Sequence, residues 1–482
     1  MGEEIQESLL QSSGKDLKVR ILDESSKVWK VALPGVLARF SSFGSLVITQ
    51  SFIGHLGSLD LAAYALVQTL SVRFVNGILI GMSSATETLC GQAFGAGQLH
   101  MMGIYLQKSW IVNFSILTIL LPVFLFGGFI FRLLGEDENI AQSAGYASFW
   151  FIPFICSFVF LMTNQMFLQA QQKNQIIAWL SILQFTIHVP LSWFLVNLLN
   201  LGTAGAIGAL GISSWLVVFG EFVYIFGGFC PESWTGFTTA AFKDLWPMVK
   251  LSVSSGVMLC LELWYNAVLV LIAGHMKNAE ISISAFSICA NISLWVLMIT
   301  LGFFGAAIVR VANELGRGDA KAVKFSIKVI LTISFLIGLF FWSTCLIFGK
   351  NIGYLFSEEK EVAEAVSDLS VLLSFSILFN SIYPILSGVA VGAGLQGTVA
   401  FITLFCYYII GIPIGALLGY GAGLQVKGIW IGMICGVIAQ TVSLSYMTWR
   451  TDWDEQVTKA EQRLKRWYLK SSTESNPISD HT

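Results

Sequence analysis

Five ionisable side chains lie inside long apolar stretches of this 482-residue chain: Arg39, Arg73, Glu87, Glu221 and Glu262. Hydrocarbon opposes a bare charge, so an ionisable group kept there is a functional candidate by default. Glu262 is the most isolated, near the middle of the apolar segment 248–274. Tyr265 follows at i+3, Asn266 at i+4, and Ser255 lies two turns back, so one helical face reads as a polar stripe. Its short side chain has no route to an interface. A carboxyl so placed can take a proton from an acidic side and release it to a neutral one, which is the chemistry of a proton-coupled carrier. The plainer reading is a structural Glu hydrogen-bonded to a neighbouring helix.

The other four are less central. Glu221 lies about two turns from the end of its segment, and Glu87 lies near the end of its own, which suits a gate or charge network. Arg39 and Arg73 sit in adjacent segments, where either could pair with a carboxylate or hold an anionic group of substrate or lipid. His188 reads as a packed neutral side chain or, alternatively, a proton relay. Asn76, Asn291, Asn380, Tyr383, Tyr407 and Tyr408 are polar groups in otherwise apolar segments and are candidates to line a cavity with Tyr265 and Asn266. The eight cysteines include no CxxC pair and read as packing residues, not a disulfide or metal framework. The sequence contains no nucleotide fingerprint, phosphate loop, metal cluster or nucleophile triad. It therefore predicts neither an enzyme nor a cofactor or metal site, and ATP-driven transport by this chain alone is disfavoured.

The elements that must hold these residues follow from composition. Hydrophobic residues make up 55% of the chain, charged residues only 12%, and the mean hydropathy is +0.73. Soluble domains carry about 25% charged residues. A soluble globule of this length is excluded. So is a nucleic-acid partner, because 27 basic against 29 acidic residues leave no basic footprint. Leu369–Val426 and Asn174–Gly220 contain no Lys, Arg, Asp or Glu. About 20 apolar residues cross a bilayer. Dividing the apolar runs at Gly and polar turns predicts an all-α membrane protein with 12 spans. They fall near 28–52, 61–90, 105–131, 140–168, 175–199, 204–229, 248–274, 281–309, 322–349, 367–391, 398–420 and 427–449. The first is too long for a cleavable signal. An even span count puts both termini on one face. Twenty of the 27 Lys and Arg fall there and five fall opposite, the remaining two being Arg39 and Arg73 within spans. The positive-inside rule then predicts cytosolic termini.

The two halves resemble each other. Gly54-His55 matches Gly274-His275, Phe94–Gly97 matches Leu315–Gly318, His188–Pro190 matches Gly411–Pro413, and Gly205 matches Gly428, at offsets of 220 to 223. Six spans per half give parallel repeats, a design that places a binding site between halves near the midplane. The expected division is a tail 1–27, an N-lobe 28–229, a linker 230–247, a C-lobe 248–449 and a tail 450–482. Pro34, Pro190 and Pro413 are candidate hinges. Glu461–Lys470 suggests a short interfacial helix with Trp467 and Tyr468 at the headgroups.

Several stretches are similar to the plant branch of the multidrug and toxic compound extrusion (MATE) family. They are Glu87–Gly97, Arg310–Gly316, Leu386–Ala390, Cys406–Pro413 and Lys427–Trp430, and the likeness covers roughly residues 25–455. The resemblance implies a V-shaped pair of six-helix lobes that exports organic compounds from the cytosol in exchange for protons. It implies a C-lobe proton site of a helix 7 Glu and a helix 10 Asp. Glu262 matches the first, but the second position is Asn380, which cannot titrate and could only hydrogen-bond Glu262 or substrate. The expected partners are a small organic substrate, protons and lipid, with no nucleic acid, and the chain is read as a monomer. A Na⁺-coupled exporter of the same fold and a lipid flippase stay open as alternatives. The acidic-Leu-Leu pattern in Glu4–Leu10 favours the vacuolar membrane over the plasma membrane.

Overall fold

A computed structural model describes residues 17–274, 279–356 and 360–474. Among these residues twelve helices are long and apolar enough to cross a membrane, and no strand occurs. Helices suit the task because each closes its backbone hydrogen bonds within itself, as hydrocarbon requires. They are α1 (Leu17–Gly54), α2 (Ser58–Gly95), α3 (Leu99–Leu125), α4 (Glu138–Ala170), α5 (Asn174–Leu198) and α6 (Gly202–Phe229) in the first half. The second half holds α7 (Trp246–Gly274), α8 (Ala279–Arg317), α9 (Ala320–Phe356), α10 (Glu364–Ala393), α11 (Gln396–Gly421) and α12 (Gln425–Arg450). A further helix, α13 (Trp453–Glu474), follows. The face of the molecule that carries α13 is called basal below.

Two expectations about the tails are corrected. The first helix begins at Leu17, so residues 17–27 belong to the bundle. Glu24 and Val28 are buried, and Glu24 accepts a two-pronged hydrogen bond from Arg310 of α8 at 2.8 and 2.9 Å. The charges of this stretch therefore serve an amphipathic helix, not a solvated tail. At the other end α13 is longer than 461–470 and docks on protein. Asp452 accepts from the amides of Asp454 and Glu455 at its start. Trp453, Gln456, Ala460 and Leu464 then bury one stripe against α2, α8 and α9. The side chains of Trp467 and Tyr468 lie outside the described residues, as does Glu4–Leu10. The stretch between halves packs too, since Gln107 of α3 donates to Gly236 O and accepts from Thr238 N.

The internal repeat is structural. In the first half α1 pairs with α5, α2 with α3 and α4, α3 with α4, and α6 with α4 and α5. The corresponding pairs recur in the second half: α7 with α11, α8 with α9 and α10, α9 with α10, and α12 with α10 and α11. The halves meet where α1 and α2 pack on α7 and α8.

That seam follows one sequence offset. Gly35 on α1 meets Gly302 on α8, and Gly256 on α7 meets Gly81 on α2; both members of the second pair are found by adding or subtracting 221. A Cβ on Gly81 would come within 2.6 Å of the Gly256 Cα. Small residues let helix backbones approach this closely in lipid. Nearer the basal face Gly95 lies against the backbone of Asn313, and Gly316 lies against that of Gln92, again related by 221. On the far side Phe43 and Trp295 meet edge to face at 5.3 Å, while Phe74 and Trp264 stack at 5.8 Å. These pairs obey the same offset, 43 to 264 and 74 to 295. The resemblance motifs 87–97 and 310–316 are thus two halves of one tight crossing.

Helix geometry runs unbroken through Pro34, while α5 widens to i→i+5 turns over Phe194–Leu198, just after Pro190. The clear break is in α10, where the helix stops at Asn380 and resumes at Tyr383. Pro384 has no amide proton, so the Asn380 carbonyl loses its i+4 donor. In α11 Leu404–Gly411 widens to i→i+5 turns just before Pro413.

Candidate functional site

Glu262 lies where α7, α10, α11 and α12 converge. Its carboxyl faces the side-chain amide of Gln440 on α12. Gln440 Nε2 also donates to Thr403 Oγ1 on α11 at 3.0 Å, and both side chains are buried. Tyr383 on α10 and Tyr407 on α11 lie beside the carboxyl and share its electrostatic environment. Tyr265, one turn beyond Glu262, stacks on Tyr407 with ring centroids 4.2 Å apart. Tyr408 donates to Leu261 O at 3.0 Å, fixing α11 against α7.

Local sequence explains the convergence. The widened turns of α11 carry Tyr407 and Tyr408, with Thr403 immediately before them. The break before Pro384 begins a new helical segment at Tyr383. Gly411 and Gly436 leave room for Tyr265, whose Oη would stand 2.8 and 3.2 Å from a Cβ on each. That hydroxyl is buried and makes no hydrogen bond. Buried polar atoms are normally partnered, so an orphan here marks a site that can accept one more bond.

The structure amends the expected stripe. Asn380 is half-buried at the end of its helical segment and makes no side-chain hydrogen bond, so it does not hold Glu262; Gln440 takes that part. Ser255 is spent on its own helix, donating to Leu251 O. The side chain of Asn266 lies outside the described residues. Asn291 is exposed on α8, and Asn76 is half-buried with its Oδ1 unpartnered. Attention to ionisable groups hid Gln440 and Thr403. The available signal was a Gln in the middle of the apolar run 427–449.

A second polar cluster lies at the seam. Arg39 Nη1 donates to Gly35 O at 3.0 Å. Gly305 of α8 leaves a gap into which three groups point: a Cβ there would lie 3.6 Å from Gln169 Oε1, 3.9 Å from Arg39 Nη2 and 4.0 Å from Glu87 Oε1. Arg39 and Glu87 attract across this gap without a direct ion pair, and Glu87 Oε1 is buried without a hydrogen bond. Arg73 does not join them. It is exposed on α2 and forms no ion pair or hydrogen bond among the described residues. Glu221 is fully buried against Asn164 and Gln165 of α4. His188 is a packed side chain, with Thr49 Oγ1 3.0 Å from Nε2 and Ser213 Oγ 3.4 Å from Nδ1.

Twelve spans in two repeated halves, with buried polar clusters at and beside the seam, define a secondary-transporter type of fold. The MatE family model matches this chain twice, over residues 34–194 and 255–417, starting points again 221 apart. Protein DETOXIFICATION 24 of Arabidopsis thaliana is 53% identical over 99% of this chain and 98% of its own length. Protein DETOXIFICATION 25 of the same plant is 52% identical over 97% and 96%. The crystal structure of the eukaryotic MATE transporter AtDTX14 superposes with a TM-score of 0.85 at 32% identity, covering 92% of this chain and 99% of that one. The chain belongs to the MATE family. It is a multi-pass membrane transporter, not an enzyme, of a family associated with efflux of drugs and toxic compounds.

Proposed function

We propose that this protein is a proton-coupled antiporter that moves organic compounds out of the cytosol by alternating access, with Glu262 as the proton-binding group. The observation that carries this reading is the setting of Glu262, a buried carboxyl at the junction of four helices, facing the neutral amide of Gln440 and lying beside Tyr383 and Tyr407. The repeat-related position in the first half is Ser41, so the carboxyl has no counterpart there. In the deprotonated state Glu262 accepts from Gln440 and helps receive substrate from the basal side, which is the cytosolic side in this scheme. Proton uptake on the far side converts the carboxyl from acceptor to partial donor. The bond to Gln440 then changes, α7 shifts against α11 and α12, and substrate affinity falls. No cofactor takes part. The vacuolar membrane is the favoured destination on the Glu4–Leu10 pattern, with the plasma membrane as the other.

Purified protein in vesicles tests the driving ion. Under this reading, organic substrate accumulates in acid-inside vesicles and fails to accumulate under a Na⁺ gradient at equal pH. Accumulation that follows Na⁺ alone would establish the Na⁺-coupled reading. Gradient-independent movement of a fluorescent phospholipid would establish the flippase.

A further inference from the structure

A cavity of about 740 Å³ opens at the basal face, away from Glu262 and from the seam cluster of Arg39 and Glu87. Four basic side chains line it and no acidic one does: Lys108 from α3, Lys250 from α7, and Lys459 and Arg463 from α13. Arg463 is half-buried. Its Nη1 donates to Ala393 O at 3.2 Å and lies 3.4 Å from Gln92 Oε1, and no carboxylate among the described residues stands within 4 Å. Burial without an anionic partner pushes its guanidinium below the usual value. Three of the five guanidinium donors have no acceptor among the described residues. Lys250 is exposed and forms no ion pair among the described residues. Lys459 reaches Glu455 only at the outer edge, at 2.7 Å, and Lys108 Nζ donates to Lys243 O at 2.7 Å. The start of α11 forms part of the wall, through Gly394, Leu395, Gly397 and Thr398. Leu395 provides no side-chain cap, so the positive end of the α11 dipole faces this wall, with Thr398 N already donating to Leu395 O at 3.0 Å. Cations of a fork and a point-charge type beside a helix N-terminus match a phosphate group.

We propose that this pocket binds a phosphate-bearing anion. Such a ligand would touch α3 of the first half, α7 and α11 of the second half, and α13 at once. It would therefore hold the halves together on the basal side, where Thr88, Gln92 and Gln396 already link α2 to α10 and α11. Both a lipid headgroup and a soluble phosphate offer this chemistry. The binding is independent of which ion drives transport.

The test uses the full-length protein. Inorganic pyrophosphate is titrated into detergent-purified protein, and nanodiscs of phosphatidylcholine with or without phosphatidylinositol 4-phosphate are compared, with thermal stability as the readout. The proposal expects at least one of these probes to stabilise the wild type. Affinity falls roughly tenfold for each cation removed in Lys250→Gln and Arg463→Gln, since each removes a charge-assisted contact. Stabilisation by pyrophosphate assigns a soluble ligand, and stabilisation only in the phosphoinositide discs assigns a lipid. Lys250→Gln alters an exposed side chain with no internal bonds, so it keeps the test valid where Arg463→Gln fails to fold. A wild type indifferent to both probes, or variants that respond as strongly as the wild type, would overturn the proposal.

Discussion

The Glu262 carboxyl on α7 faces the side-chain amide of Gln440 on α12, and the amide nitrogen is shared with Thr403 on α11. Three helices of the second half are thereby joined through one titratable group. In the proposed function a change at that group is felt by all three, which couples protonation to movement.

Replacing Gln440 removes the amide that faces the carboxyl. A lost hydrogen bond to a charged group costs about 1.5–3 kcal/mol. Gln440→Leu is expected to lower proton-driven uptake roughly tenfold or more while the protein still purifies as a single species. Thr403→Val leaves the Gln440–Glu262 contact in place and should cost less. Initial rates in acid-inside vesicles compare the two.

The seam glycines predict a paired effect. Gly81→Val pushes a side chain onto Gly256, and Gly302→Val pushes one onto the α1 backbone at Ala32 and Val36. Overpacking of this kind costs about 1–3 kcal/mol. Each variant should lower the unfolding temperature, and the double variant should lose close to the sum because the two crossings are separate. Thermal unfolding monitored by size-exclusion chromatography measures this.

The aromatic contacts beyond them should behave alike. Double-mutant cycles on Phe43 with Trp295 and on Phe74 with Trp264 are each expected to give about 0.5–1.5 kcal/mol of coupling. A cycle between Phe43 and Phe74, which belong to different pairs, should give close to zero.

Glu24 and Arg310 form a buried pair that joins the start of α1 to α8, with Glu314 Oε1 a further 2.6 Å from Nη2. Breaking one side of a buried pair costs about 3–5 kcal/mol. Glu24→Gln should therefore destabilise strongly, and added salt should change the wild-type pair little because solvent does not reach it. The comparison is unfolding temperature against salt for both forms.

Much of this fold was legible in the sequence because hydrocarbon leaves few choices. Scarce charge sets the span number, and motifs repeating at offsets of 220 to 223 mark the two halves in the sequence itself. Glu262 was visible because a lone carboxyl in an apolar run is conspicuous. Gln440 was not, since a neutral amide carries no such signal until a partner helix is placed beside it. Asn380 illustrates the reverse. It stands in the position of a proton-site residue, yet at the helix interruption before Pro384 it makes no side-chain hydrogen bond among the described residues. Residues 17–27 and α13 were misread for one reason: charged amphipathic helices resemble solvated tails until their buried stripe finds a partner, here α8 for Glu24 and the bundle base for Leu464.

The central claim rests on the proton carried by Glu262. The direct measurement is substrate uptake by wild type and Glu262→Gln in acid-inside vesicles, with the variant's fold checked by size-exclusion chromatography. The account predicts that the folded variant loses pH-gradient-driven accumulation. A Glu262→Gln protein that accumulates substrate at the wild-type, proton-dependent rate would contradict it.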